Sequence, residues 1–127
     1  MDIEVLGNKI IGAAIEVHRE LGPGLFESTY ERCLVHELKL QGIHAEAQKK
    51  QPIIYKGLEI DEGYRIDILV EGSVVLELKV VDQFNDIHMA QLLTYLKMSK
   101  CKLGFLLNFK VSMMKDGIKR VVNQLPE

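Results

Sequence analysis

The stretch from Tyr64 to Val80, Y-R-I-D-I-L-V-E-G-S-V-V-L-E-L-K-V, leaves little freedom in how it folds. Its residues alternate strictly on either side of Glu71-Gly72-Ser73, which predicts two strands joined by a tight turn. A three-residue loop with Gly72 at positive φ closes such a hairpin. Counting outward from that loop sets Val70 opposite Val74, Ile68 opposite Leu76, Ile66 opposite Leu78 and Asp67 opposite Glu77. One face of the hairpin is then aliphatic throughout, while the other carries Arg65, Asp67, Glu77 and Lys79. Two carboxylates and a lysine converge on one patch beside a hydrophobic layer, and chemistry is expected there.

Hard divalent cations such as Mg²⁺ take oxygen ligands, commonly one or two carboxylates with water and substrate phosphate completing the shell. Asp67 and Glu77 facing each other across a hairpin make such a half-site, with the Leu78 carbonyl as a further candidate ligand. Lys79 lies two residues after Glu77, so it projects from the same face of its strand. Its ammonium can orient an attacking water or stabilise charge on a phosphate. Alternating Glu and Lys on a half-exposed strand ordinarily makes a solvated face with cross-strand ion pairs. The D…E-x-K pattern alone is therefore a weak signal.

The rest of the chain supplies the context. At 127 residues, 47% of them hydrophobic and 27% charged, it has the size and composition of one globular domain. Apolar residues at Ile3, Leu6, Ile10, Ala14, Val17 and Leu21 predict an amphipathic helix, broken by Gly22-Pro23-Gly24. A second helix is expected over Phe26–Leu40, with Phe26, Tyr30, Cys33, Leu34 and Leu38 on its buried side. Ala45–Tyr55 reads as a strand made irregular by Pro52, followed by a Lys56-Gly57 turn and a strand beginning over Leu58–Ile60. After the hairpin, Asn85 or Asp86 can cap a third helix over Ile87–Ser99. Leu103–Phe109 is an apolar run suited to a strand covered on both faces, with Gly104 marking a close backbone approach. Gly117–Val122 completes the chain as a last strand. This order predicts a single α/β domain: a mixed central β-sheet flanked by helices, with two N-terminal helices, a strand meander, a helix and a strand.

The net charge is −2 and unevenly spread. Acidic residues prevail from Met1 to Glu37, whereas Lys97 to Arg120 is strongly basic, with Lys97, Lys110, Lys119 and Arg120 as candidate phosphate contacts. Exposed strands also carry such charges simply to stay soluble. Cys33 and Cys101 stand in no metal-ligand spacing, and Met1-Asp2-Ile3 opens no secretion signal. A cytoplasmic protein with reduced thiols is the expectation, and no apolar run is long enough to span a bilayer.

The order of helix, D…E-x-K meander, helix and strand resembles the PD-(D/E)XK nuclease fold. More narrowly, the chain resembles a small bacterial and archaeal family named for a G-x-x-E-x-x-Y motif. Gly24, Glu27 and Tyr30 match it within G-P-G-L-F-E-S-T-Y. The likeness runs from Ile10 to Val122 through I-I-G-A-A-I-E-V-H-R-E-L-G-P-G, R-I-D-I-L-V, V-L-E-L-K, A-Q-L-L-T-Y-L, G-F-L-L-N-F and K-R-V-V-N. Ile66 stands where the superfamily's name has proline.

The resemblance implies active positions at Asp67, Glu77 and Lys79, with Mg²⁺ or Mn²⁺ as cofactor and DNA or RNA as partner. It makes Glu27 a candidate to complete the metal site, although an acid in a first helical turn is also favoured by the helix dipole. Tyr30, one turn on, is expected in the core with its hydroxyl bonded. His88, Gln91 and Tyr95 form one stripe on the third helix. Gln91 and Tyr95 match a Q-x-x-x-Y signature that positions substrate or water in some members of the superfamily. Small nucleases of this fold often dimerise to span a duplex, so a homodimer is a further expectation of the resemblance. Two functions follow: a metal-dependent nuclease, or a nucleic-acid-binding or regulatory module that keeps the fold without turnover.

Overall fold

A computed structural model of the chain describes residues 1–125. Two helices, α1 (Ile3–Leu21) and α2 (Glu27–Leu40), precede β1 (Ala45–Lys50), β2 (Ile53–Tyr55), β3 (Leu58–Ile60), β4 (Arg65–Val70) and β5 (Val74–Lys79). Helix α3 (Asp86–Ser99), β6 (Leu103–Asn108), a 3₁₀ turn at Met114–Gly117 and β7 (Ile118–Val122) complete the order. Five strands form one mixed sheet in the order β1-β4-β5-β6-β7, parallel only between β5 and β6, where α3 makes the crossover. The chain is α/β, as its pattern of elements predicts.

Helices α1 and α2 cover one face of the sheet. Leu6, Ile10, Val17, Tyr30, Leu34 and Leu38 pack there against Ile68, Leu76, Leu78, Phe105 and Leu107. Helix α3 covers the other face, where Leu92, Tyr95 and Leu96 meet Ile66, Val75, Leu106 and Val121. Strand β6 is therefore buried at every position, which is why its sequence is a continuous apolar run.

Three details differ from the sequence reading. Phe26 is 82% exposed: it occupies the N-cap position in extended conformation, outside the apolar stripe of α2. Leu58–Ile60 does not begin the next sheet strand. With Ile53–Tyr55 it forms a separate two-stranded ribbon closed by Lys56-Gly57, because Gln51-Pro52 ends β1 before the chain can continue the ladder. The hairpin's aliphatic residues do not all share one face either: Ile66 joins the cluster under α3, whereas Ile68 and Val70 face α1 and α2. The hairpin turn itself carries positive φ at both Glu71 (51°) and Gly72 (62°), the pairing that matches the twist of the flanking strands.

Tyr30 is fully buried, stacked on Phe109 with ring centroids 4.4 Å apart. Its hydroxyl donates to the Gly22 carbonyl and accepts from the Leu25 amide at 3.2 Å, which fixes the loop that launches α2. Asn85 caps α3 by accepting from the His88 amide, and His88 Nδ1 accepts from the Asn85 amide in return. His88 is thus a capping residue.

Gly104 allows α3 to approach the sheet. A Cβ there would meet Leu92 Cδ1 and the Val75 carbonyl oxygen at 3.0 Å and Leu96 Cδ2 at 3.2 Å. Gly104→Ala is therefore expected to destabilise the protein by about 1–3 kcal/mol, read from urea unfolding. An unchanged midpoint would mean that the helix does not press on this strand.

Candidate active site

The β4–β5 ladder pairs Val70 with Val74, Leu69 with Val75 and Ile68 with Leu76, then stops. The next two positions are Asp67 and Glu77, and here side chains replace the backbone ladder. The Asp67 amide donates to Glu77 Oε2 at 2.9 Å, and the Leu78 amide donates to Asp67 Oδ2 at 2.8 Å. Each acid thus satisfies a backbone N–H of the other strand, and the hairpin opens at the point where its two carboxylates meet.

On the opposite edge of β4 the ladder to β1 lapses at the same place. Ala47 pairs with Ile68 and Lys49 with Ile66, while Gln48, between them, has φ of 54° and no strand partner. Such a backbone is strained for a residue other than glycine. The distortion lets the Gln48 side chain reach α2, where Nε2 donates to Glu31 Oε2 at 2.8 Å, and its amide also bears on Asp67.

The electrostatics follow from the geometry. Glu77 is 4% exposed, and burial followed by the Asp67 charge pushes its carboxyl up to about 8, against the opposing pull of the Asp67 amide and Lys79. Burial raises Asp67 too, opposed by the Leu78 amide and Lys79. Burial also raises Glu31, with Asp67 and Glu27 adding to it against the Gln48 bond. Lys79 is the cation common to both central acids. Its backbone is held in register with Asn108, whose buried side chain donates to the Val81 carbonyl at 2.8 Å and accepts from the Val81 and Lys110 amides.

Helix α3 supplies the remaining wall. Tyr95 is buried, and its hydroxyl is pushed up by burial and by the charge of Glu77, so it keeps its proton. Gln91 is exposed rather than inward-facing, and donates to the Tyr95 hydroxyl at 3.4 Å. Five of the sequence-derived positions, Asp67, Glu77, Lys79, Gln91 and Tyr95, therefore gather in one place. Glu27 stands on the exposed first turn of α2, within the electrostatic reach of Asp67 and Glu31.

A profile of the PD-(D/E)XK nuclease superfamily matches residues 4–121. The chain belongs to the PD-(D/E)XK nuclease superfamily. No curated protein and no solved structure matches it. Members of this superfamily generally use divalent metals. Among the described residues, no three His, Cys, Asp or Glu side chains lie close enough to cage an ion by themselves. The donor set nevertheless fits Mg²⁺ or Mn²⁺, because one or two carboxylates suffice when water and phosphate supply the other ligands. The backbone bonds use only Oδ2 of Asp67 and Oε2 of Glu77; burial first, and then a neighbouring acid (Glu27 for Asp67, Asp67 for Glu77), raises the two groups, and a cation would offset both effects.

The superfamily's substrates are nucleic acids, and the four basic residues expected to contact phosphate are dispersed. Lys97 lies at the far end of α3 with Lys100 and Lys102 around a shallow cavity of about 460 Å³. Lys110 pairs with Asp82 at 2.6 Å and Arg120 with Glu4 at 2.8 Å, while Lys119 lies exposed on β7. Sequence reasoning missed Glu31 and Gln48. Glu31 could have been found from its i+4 spacing to Glu27 on one helix face. Gln48 depends on a backbone distortion that no local pattern announces.

Glu77 predicts an unusual pH dependence. Its proton is held more tightly in the folded chain than at the ordinary value of 4.5, so its contribution to stability is complete below about 4.5. That contribution is lost as pH rises through about 8. Glu77→Gln removes this loss, so the variant should melt above wild type by about 5 °C or more at pH 9, with little advantage at pH 5. A difference in melting temperature that does not change with pH would contradict the assignment.

Proposed function

We propose that the protein is a divalent-metal-dependent phosphodiester hydrolase acting on DNA or RNA in the cytoplasm. The observation that carries this reading is the opened hairpin, where two buried carboxylates, both raised by burial, lie within the electrostatic reach of Lys79. Asp67 and Glu77 would hold Mg²⁺ or Mn²⁺, with Glu27 and Glu31 adding negative charge from α2. Bound there, the ion supplies Lewis-acid polarisation of a phosphoryl oxygen.

The chain's own groups do the rest. Lys79 lies within the electrostatic reach of both acids, placed to orient a water or to stabilise charge on the phosphate. Tyr95 keeps its hydroxyl proton and accepts from Gln91, so the pair presents neutral polar groups that can position substrate without adding charge. Asn108 fixes the backbone beyond β5 and so limits the drift of Lys79.

A second reading, a nucleic-acid-binding module without turnover, is favoured by one feature of the same site. Backbone amides already occupy an oxygen of each acid, and Glu77 retains its proton near neutrality. Labelled single- and double-stranded DNA and RNA incubated with Mg²⁺ or Mn²⁺ separate the two. Hydrolysis by wild type, reduced about 10²–10³-fold by Glu77→Gln and by Lys79→Ala, is the outcome expected of the enzyme. Cleavage that survives both substitutions would point to a contaminant and sink the assignment. Binding with no cleavage in either metal would leave the second reading.

A further inference from the structure

We propose that the nucleic acid this site takes is an unpaired strand, seated by Lys50 and Arg65 and stacked on Tyr64 and Phe26. The inference rests on the reading of the site as one that acts on nucleic acid, and it names the form of substrate and the residues that hold it.

The sheet register brings the cations to the acids. Lys50 pairs with Arg65, two residues along β4 from Asp67. At about 3.4 Å per strand residue, their backbones lie within about 7 Å of that of Asp67 along the strand direction. Their charges are largely uncommitted. Lys50 and Arg65 have no ion-pair partner among the described residues, whereas Lys49, on the opposite face of β1 from Lys50, pairs with Glu46 at 3.5 Å. By contrast, Lys110 and Arg120 are held by Asp82 and Glu4, and Lys97 sits with its neighbours Lys100 and Lys102 around a separate cavity. Lysines on an edge strand also guard against strand addition, which accounts for Lys49 and Lys50 on β1. Arg65 lies on β4, inside the sheet order, so that explanation does not extend to it.

The aromatic groups select the form of the strand. Phe26 directly precedes Glu27 and is 82% exposed, and Tyr64 lies three residues before Asp67 and is 42% exposed. A ring left in solvent beside a phosphate-binding site offers a face to a base, and only unpaired bases present theirs. In a duplex the bases are already stacked on each other, and these rings would gain nothing.

The test measures binding and cleavage separately, using fluorescein-labelled 20-mers with Ca²⁺ in place of Mg²⁺ for binding and Mn²⁺ for cleavage. The single strand should bind about tenfold more tightly than the duplex of the same sequence. Lys50→Ala/Arg65→Ala should weaken single-strand binding about tenfold and reduce the slope of log K on log salt by about 1.4. Tyr64→Ala should weaken it about fivefold while Tyr64→Phe preserves it, and Lys97→Ala/Lys102→Ala should match wild type. Equal affinity for duplex, no single-strand binding, or unchanged binding by Lys50→Ala/Arg65→Ala would each overturn the proposal. Cleavage that persists under those outcomes keeps the hydrolase reading and removes only this one. The expected binding pattern without cleavage keeps the strand track and removes the hydrolase.

Discussion

Everything at this site depends on a substitution of partners between two strands. Asp67 and Glu77 take backbone amides that an uninterrupted antiparallel ladder would give to carbonyls. A carboxyl oxygen accepts a backbone N–H as a carbonyl does, so the exchange keeps both strands satisfied while parting their backbones. It also forces two acids into one buried space, which is electrostatically costly and raises both. Structure and reactivity thus come from the same contacts. The bonds that open the hairpin are the ones that set the charge of the site.

The surrounding layers hold this arrangement in place. β5 and β6 are covered on both sides, so Glu77 stands on a rigid pair of strands. Tyr30 ties the loop before α2 through its hydroxyl and its stack on Phe109, and that fixes where Glu27 and Glu31 begin. Gly104 lets α3 sit close enough to bring Tyr95 over the acids. Gln48 then links α2 to the opened edge of β4 at the expense of a left-handed backbone. Each of these groups lies outside the central pair, yet each determines where one wall of it stands.

Much of this was legible in the sequence, for identifiable reasons. Strict alternation around Gly72 fixed the hairpin register through Ile68 and Leu76, and the apolar run of β6 disclosed its burial on both faces. Tyr30 in the core, a cap at Asn85 or Asp86 and Gly104 as a point of close approach all followed from local patterns, and the structure places the cap at Asn85. What alternation could not express is its own failure: once Asp67 opens the ladder, Ile66 turns to the α3 side, away from Ile68. The exposure of Phe26 was hidden because a residue one position before a helix looks, in one dimension, like part of its stripe. Clustering Lys97 to Arg120 by sequence likewise ignored that β6 and β7 carry them to different parts of the molecule. A homodimer and a cytoplasmic address are properties that the side chains of one chain do not encode in their mutual geometry. No helix among the described residues is long and apolar enough to cross a membrane.

The central claim is that Asp67 and Glu77 form one destabilised pair whose charge a divalent cation relieves. Carbon-13 NMR of the Glu77 carboxyl, titrated with and without saturating Mg²⁺, reads this directly. Without metal the carboxyl should titrate near 8, and with Mg²⁺ it should ionise by about pH 6 or below. A midpoint near 4.5 without metal, or one near 8 that Mg²⁺ does not move, would contradict the claim.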